Sequence, residues 1–119
     1  MKRILLMDDS EVFREIARNA LQTAGYEVVC AADLAELRAL RDQRSDLILM
    51  DVQMPEAYGD DLAMTLRFTH DVAAPIYLLS SLDDDDLADR ASWAKIEGYI
   101  SKNRGMDAIV DEVRRILAD

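Results

Sequence analysis

The stretch LILMDVQMP, residues 47–55, decides how this chain folds. Its first four residues are apolar, which is typical of a β-strand buried on both faces of a parallel sheet. An acid follows directly, and burying a lone carboxylate costs several kcal/mol unless it is paired or binds a metal. The stretch therefore predicts that Asp51 lies where the strand leaves the sheet, in a cleft that contains partners for its charge.

Apolar runs alternate with amphipathic stretches along the chain of 119 residues. The runs predict five strands, at residues 4–7, within 26–32, and at 47–50, 76–79 and 98–100. A helical pattern follows each run. The first helix begins after Ser10, a favourable N-cap, and ends at Gly25. Its apolar stripe comprises Phe13, Ile16, Ala17, Ala20, Leu21 and Ala24.

The ends of the later helices are marked mainly by polar residues. Asp33 and Glu36 form a capping-box pattern at the start of the second helix, which we expect to end near Arg44. Gly59 begins the third helix. The acidic run at residues 83–86 suits the start of the fourth helix, because the helix dipole favours negative charge there. The fifth helix has the clearest apolar stripe.

Five strand–helix alternations predict an α/β fold with a parallel sheet and helices on both faces. Crossovers between parallel strands are right-handed almost without exception. Among doubly wound sheets, the strand order 2-1-3-4-5 suits five strands and opens a crevice at the carboxyl ends of strands one and three. Those ends carry Asp8, Asp9 and Asp51. The length is enough for one domain, residues 1–119, with one core.

Composition excludes several classes of function. The formal charge of −10 and the pI of about 4.4 argue against direct nucleic-acid binding, which needs clustered Lys and Arg. Cys30 is the only cysteine, so no disulfide framework can form within the chain, and a reducing compartment fits. The sequence contains no apolar run of the ~20 residues that span a membrane, and its apolar start is too short for a signal peptide. We expect a cytoplasmic protein without membrane contact.

Three carboxylates in one crevice repel one another, at about 4 kcal/mol for a like-charged pair ~4 Å apart at an effective dielectric near 20. A hard divalent cation compensates such a cluster, and all-oxygen ligands suit Mg²⁺. Asp51 can then also act as a nucleophile toward phosphorus. Lys102, after strand five, is a point cation suited to phosphate, and Ser80, after strand four, offers a hydroxyl donor.

Taken together, these residues resemble the receiver domains of two-component response regulators over essentially the whole chain. That family shares the flavodoxin-like, doubly wound fold predicted above. The positions that carry the resemblance are Asp8, Asp9, Asp51, Met54, Pro55, Gly59, Pro75, Ser80, Tyr99 and Lys102.

The resemblance implies a role for each of these residues. Asp51 would accept a phosphoryl group from a sensor histidine kinase or a phosphotransfer protein. Asp8, Asp9 and Asp51, with the main-chain carbonyl of Gln53, would bind Mg²⁺, while Lys102 would contact the phosphoryl group. Ser80 and Tyr99 would be the switch hydroxyl and the switch aromatic.

The resemblance also implies how the signal leaves the domain. The face formed by helix 4, strand 5 and helix 5 would signal to a downstream protein, and homodimerisation through that face is common in the family. Such a protein is not an enzyme in the ordinary sense, because it promotes only its own phosphorylation and slow hydrolysis.

Two positions depart from the family pattern. Asn103 follows Lys102 where the family usually has proline, often with a cis bond. Because a non-proline cis bond costs ~3 kcal/mol, we expect this loop to be trans or otherwise rearranged. Ser81 stands where the family prefers alanine or glycine, and it is small enough to keep the entrance to the site open.

Other functions remain open at this point. A phosphate-independent interaction module with the same fold is the main alternative. The missing proline keeps it open, whereas the three acids, Ser80 and Lys102 argue against it. A magnesium-dependent phosphatase would need a second acid where Gln53 stands, and a flavin carrier would not place Asp8 and Asp9 after strand one. Whether the protein acts alone or is the amino-terminal piece of a longer one is also open.

Leu82 occupies a position that tunes the lifetime of the phosphoryl group in the family. An apolar side chain cannot orient an attacking water, so self-hydrolysis should be slow. We expect Leu82→Glu to accelerate dephosphorylation, measured as loss of the phosphorylated mass over time. An unchanged rate would contradict this prediction.

Overall fold

Five parallel strands form the centre of the computed structural model, which describes residues 1–40, 43–55, 58–68 and 73–118. The order across the sheet is β2-β1-β3-β4-β5, which confirms the predicted topology. β1 pairs with β2 and β3, β3 with β4, and β4 with β5, each in parallel. The strands are β1 (Arg3–Met7), β2 (Glu27–Ala31), β3 (Leu47–Met50), β4 (Ile76–Ser80) and β5 (Gly98–Ser101).

Five helices cover the two faces of the sheet. Buried side chains of α1 and α5 pack on one face, and those of α2, α3 and α4 pack on the other. Because apolar side chains press on both faces, β3 is buried along its whole length. The helices are α1 (Glu11–Thr23), α2 (Leu34–Leu40), α3 (Gly59–Phe68), α4 (Asp84–Ala94) and α5 (Met106–Ile116).

Local capping explains where most helices begin and end. The Ser10 hydroxyl accepts a hydrogen bond from the Phe13 N–H at 3.2 Å, and Gly25 adopts φ +103° after the end of α1. Asp33 accepts from the Glu36 N–H at 2.9 Å, as the capping-box pattern predicts. α4 begins within the acidic run. These four predictions are confirmed.

Two expectations about helices are refined by the structure. α2 is described as far as Leu40, residues 41–42 lie outside the described part of the chain, and Gln43 is no longer helical, so the helix ends shortly before Arg44, near which its end was predicted. Ile16 is 51% exposed although it belongs to the periodic stripe of α1. Ala17 and Leu21 alone among the stripe residues are fully buried, because the face of α1 that meets the sheet is narrower than the stripe. Among the described residues, no helix is long and apolar enough to cross a membrane.

Gly59, the first residue of α3, approaches the backbone of Asp51 closely. Its N–H donates to the Val52 carbonyl at 2.9 Å. A Cβ at Gly59 would lie 1.8 Å from the Asp51 carbonyl oxygen. The loop after β3 can therefore fold back onto the strand end only if residue 59 lacks a side chain.

We predict that Gly59→Ala lowers the free energy of unfolding by about 2 to 3 kcal/mol, because backbone atoms must move to admit the methyl group. Gly98→Ala is the matched control, since its Cβ would meet a ring carbon of Tyr77 at 3.1 Å, and a side chain can shift. Urea denaturation followed by circular dichroism measures both. Equal losses in the two variants would contradict the prediction.

Candidate functional site

Asp51 lies one residue beyond β3, at the carboxyl edge of the sheet. Its N–H still donates to the Met7 carbonyl at 2.9 Å, so the backbone remains fixed to β1. The residue is 6% exposed. The Gln53 N–H approaches its Oδ1 at 3.4 Å, a long contact that stabilises the carboxylate weakly. The strand thus delivers a buried acid at a fixed position, as the sequence predicts.

Asp8 and Asp9 follow β1 at the same edge. Asp8 is completely buried, whereas Asp9 is exposed. The Ser10 N–H donates to Asp8 Oδ1 at 2.9 Å and fixes the orientation of that carboxylate. One carboxylate oxygen from each of Asp8, Asp9 and Asp51 lies within 4.8 Å of the others. The adjacency of β1 and β3 therefore assembles the predicted acid cluster.

Lys102 reaches this cluster from the turn that follows β5. Its ammonium lies 2.7 Å from Asp8 Oδ2 and 3.9 Å from Asp51 Oδ1. The ammonium also lies 4.0 Å from the centroid of the Phe13 ring, a cation–π contact. The peptide bond after Lys102 is trans, as expected.

One lysine beside three acids leaves the cluster with excess negative charge. The pKa of Asp51 is raised to about 6, mainly because burial disfavours the carboxylate. Lys102 counteracts this rise, while Asp8 and Asp9 add to it by repulsion. The site therefore holds an acid whose charge is only partly compensated.

The donor set fits a hard divalent cation. Its members are carboxylate oxygens close enough to share one ion, and Mg²⁺ prefers such ligands. A cation would also relieve the repulsion that raises the pKa of Asp51. Gln53 is an exposed residue at the same edge of the sheet, and the role of its carbonyl oxygen as a ligand stays a prediction.

Ser80 and Tyr99 lie on the two strands beyond β3. Ser80 ends β4 with 1% exposure, and its hydroxyl accepts from the Leu82 N–H at 3.2 Å. Tyr99, on β5, is half-buried and packs against the cluster under α2, α3 and α4. Both occupy the expected positions in the fold, and their switch roles stay predictions.

The sequence reasoning missed three contacts of this site. Phe13 was assigned only to the apolar stripe of α1, and nothing in its spacing indicates that its ring faces a lysine. Arg14 donates to the Asp8 carbonyl at 2.8 Å. The Asn103 side-chain amide donates to the Ser81 carbonyl at 3.0 Å. The sequence analysis did identify Asn103 as a departure from the family's proline, but it did not predict a hydrogen-bond partner for its side chain.

Comparison with known proteins agrees with this geometry. The family model for the response regulator receiver domain matches residues 4–114. The chain is similar to the polar-differentiation response regulator DivK of Brucella anthropi, with 26% identity over 99% of this chain and 98% of that protein. It is also similar to the transcriptional regulatory protein CrdR of Helicobacter pylori, with 27% identity over 99% of this chain and 56% of that protein.

Solved structures show the same architecture. The chemotaxis response regulator CheY4 of Vibrio cholerae superposes with a TM-score of 0.87 at 28% identity, over 98% of this chain and 99% of that chain. The response regulator TrrA of Thermotoga maritima, solved in complex with Mg(2+)-BeF, superposes with a TM-score of 0.84 at 32% identity, over 98% and 100%.

The raised pKa of Asp51 predicts a pH-dependent effect of Asp51→Asn. The Asp51 carboxyl binds a proton more tightly in the folded chain than in the unfolded chain. The free energy of unfolding therefore falls as pH rises from 3.8 to about 6, because Asp51 loses that proton. In EDTA at pH 7, Asp51→Asn should therefore raise the free energy of unfolding by up to about 3 kcal/mol. The gain should disappear toward pH 4.

Urea titrations across that pH range measure the difference between Asp51→Asn and wild type. Asp89→Asn, which removes an exposed carboxylate on α4, is the control and should change little at any pH. A stability difference that does not vary with pH would show that the charge of Asp51 is not the cause.

Proposed function

The chain belongs to the response regulator receiver-domain family, and we propose that it is a phosphorylation-dependent switch in which Asp51 is the phosphoacceptor. One observation carries this proposal. Three strands deliver Asp8, Asp51 and Lys102 to one point at the carboxyl edge of the sheet, with carboxylate and ammonium in direct contact. A nucleophile and a phosphate-binding cation are thereby adjacent in a largely buried cleft.

The proposed donor is the phosphohistidine of a sensor histidine kinase or a phosphotransfer protein. An Asp51 carboxylate oxygen attacks phosphorus, and the new P–O bond forms as the P–N bond breaks. The imidazole, which carries a proton on its other ring nitrogen in the phosphohistidine, leaves with the electron pair of the P–N bond and is thereby the neutral histidine. Attack requires the ionised carboxylate, which at pH 7 is the main form of an acid with a pKa of about 6.

The residues around Asp51 bind and orient the phosphoryl group in this proposal. Asp8, Asp9 and Asp51, with the Gln53 carbonyl, would hold Mg²⁺, which when bound offsets the charge on the phosphoryl oxygens. The Lys102 ammonium, 3.9 Å from Asp51, would contact the same oxygens. Ser80 would turn its hydroxyl from the Leu82 N–H toward them.

The output follows from the residues beyond the site. We place the signalling surface on α4, β5 and α5, where Tyr99 would turn inward after Ser80 moves. A downstream protein would bind this surface, and a second copy of the chain could do so as well.

We also propose that residues 1–119 form one receiver domain, which acts in the cytoplasm and does not itself bind nucleic acid. The half-buried free thiol of Cys30 fits a reducing compartment.

A second candidate function is partner binding without phosphorylation. It is favoured by the pairing of Lys102 with the fully buried Asp8, which already gives the cleft a partner for one acid. In that case the ion pair would only hold the turn after β5 against the end of β1, and Asp51 would not be phosphorylated.

Intact-mass spectrometry after incubation with a small phosphodonor separates the two functions. We expect wild type to gain one phosphoryl group with Mg²⁺ and none with EDTA. Asp51→Asn should gain none, whereas Asp89→Asn, an exposed acid on α4, should behave as wild type. The absence of any gain in folded wild type would overturn the switch and support the phosphate-independent module.

A further inference from the structure

We propose that Asn103 is a positioning residue for Lys102, an inference that rests on the proposed function of the site. Asn103 is the middle residue of a 3-10 turn, Lys102–Arg104, that follows β5. Its side-chain amide donates to the Ser81 carbonyl at 3.0 Å. Its backbone N–H donates to the Ser101 hydroxyl at 3.2 Å. A proline at this position could make neither bond.

Lys102 depends on that turn for its position. The hydrogen-bonded ladder of the sheet ends at Ser101, opposite Ser80, so the backbone of Lys102 lies beyond it. The lysine side chain is long and flexible, and its ammonium must lie close to Asp8 and Asp51 at once. The position of the turn therefore determines how readily the ammonium can lie 2.7 Å from Asp8 and 3.9 Å from Asp51 together.

The Asn103 amide fixes the turn against the loop after β4. A second contact, between Arg104 and Asp84 at 3.7 Å, joins the same turn to α4, but both side chains are more than half exposed. Exposed ion pairs of that length contribute little. The Asn103 amide is exposed as well, but its hydrogen bond to a backbone carbonyl is shorter and directional, so it contributes the larger part of the connection between the turn and the loop after β4.

The acceptor of this bond directly follows Ser80. Asn103 consequently joins the two loops that carry the hydroxyl and the ammonium assigned to the phosphoryl group. A displacement of the Ser81 carbonyl would therefore be passed through this bond to the turn that carries Lys102.

Nuclear magnetic resonance of the lysine side chains tests the positioning directly. The sequence contains three lysines, Lys2, Lys95 and Lys102, so the methylene signals next to each ammonium can be assigned by Lys→Arg substitutions. The Phe13 ring lies 4.0 Å from the Lys102 ammonium and should shift the Lys102 signal upfield. The Phe13→Leu variant provides the reference value, which is the chemical shift of the Lys102 signal when no aromatic ring lies beside it.

We expect Asn103→Ala to move the Lys102 signal at least halfway from the wild-type value to the Phe13→Leu value. Arg104→Ala, which removes the neighbouring exposed ion pair, should leave the signal at the wild-type value. An Asn103→Ala signal identical to wild type would overturn the proposal, and so would an equal displacement in Arg104→Ala.

The rate of phosphorylation at saturating phosphodonor is the second measurement. Asn103→Ala should slow it about 3- to 10-fold, the range that one hydrogen bond supplies. Arg104→Ala should stay within about twofold. A wild-type rate in Asn103→Ala would overturn the proposal even if the lysine signal moved. If wild type itself is not phosphorylated, the proposed function fails, and the lysine signal alone decides whether Asn103 holds Lys102.

Discussion

The ion pair between Lys102 and the fully buried Asp8 joins opposite parts of the carboxyl edge of the sheet. In the observed strand order, β5 lies three strand spacings from β1, or about 14 Å. A lysine side chain cannot cover that distance alone, so the turn after β5 must bring Lys102 back over the ends of β4 and β3. The geometry of the site therefore depends on a turn outside the sheet as well as on the strands.

Burial of like charges is the second constraint on this site. Asp8 and Asp51 lie at the edge of an apolar core, and the pKa of Asp51 rises mainly because burial disfavours its charged form, with repulsion from Asp8 and Asp9 adding to the rise. Stability alone does not explain why these acids are present, since replacing them with apolar residues of similar size would remove the repulsion between them. The free-energy cost of burying these carboxylates has a functional explanation if the site binds a cation and a phosphoryl group when it is active.

The sequence predicts most of the fold because the signals that determine it are local or periodic. Apolar runs locate the strands, and the doubly wound order then brings Asp8 beside Asp51 without any knowledge of contacts. The exposure of Ile16 could not be predicted, since a helical stripe of apolar residues does not reveal how much of it the sheet covers.

The contacts of Phe13 and Asn103 could not be predicted for a different reason. The Asn103 amide finds its partner at Ser81, 22 residues earlier, across two loops whose separation no local pattern encodes. Phe13 satisfies the apolar stripe whether or not a cation lies over its ring.

The pairing of β4 with β5 gives the site a route to the distant surface. Ser80 lies opposite Ser101, and Leu78 lies opposite Tyr99, so the proposed switch residues occupy paired strands two positions apart. The strands are packed on both faces and cannot deform continuously, whereas the loops after them can adopt discrete positions. A phosphoryl group that draws in the loop after β4 would therefore change the space beside Tyr99 rather than the sheet. The hydrogen bond from Asn103 to the Ser81 carbonyl joins the loop after β5 to the loop after β4, so a displacement of one loop would also reach the other.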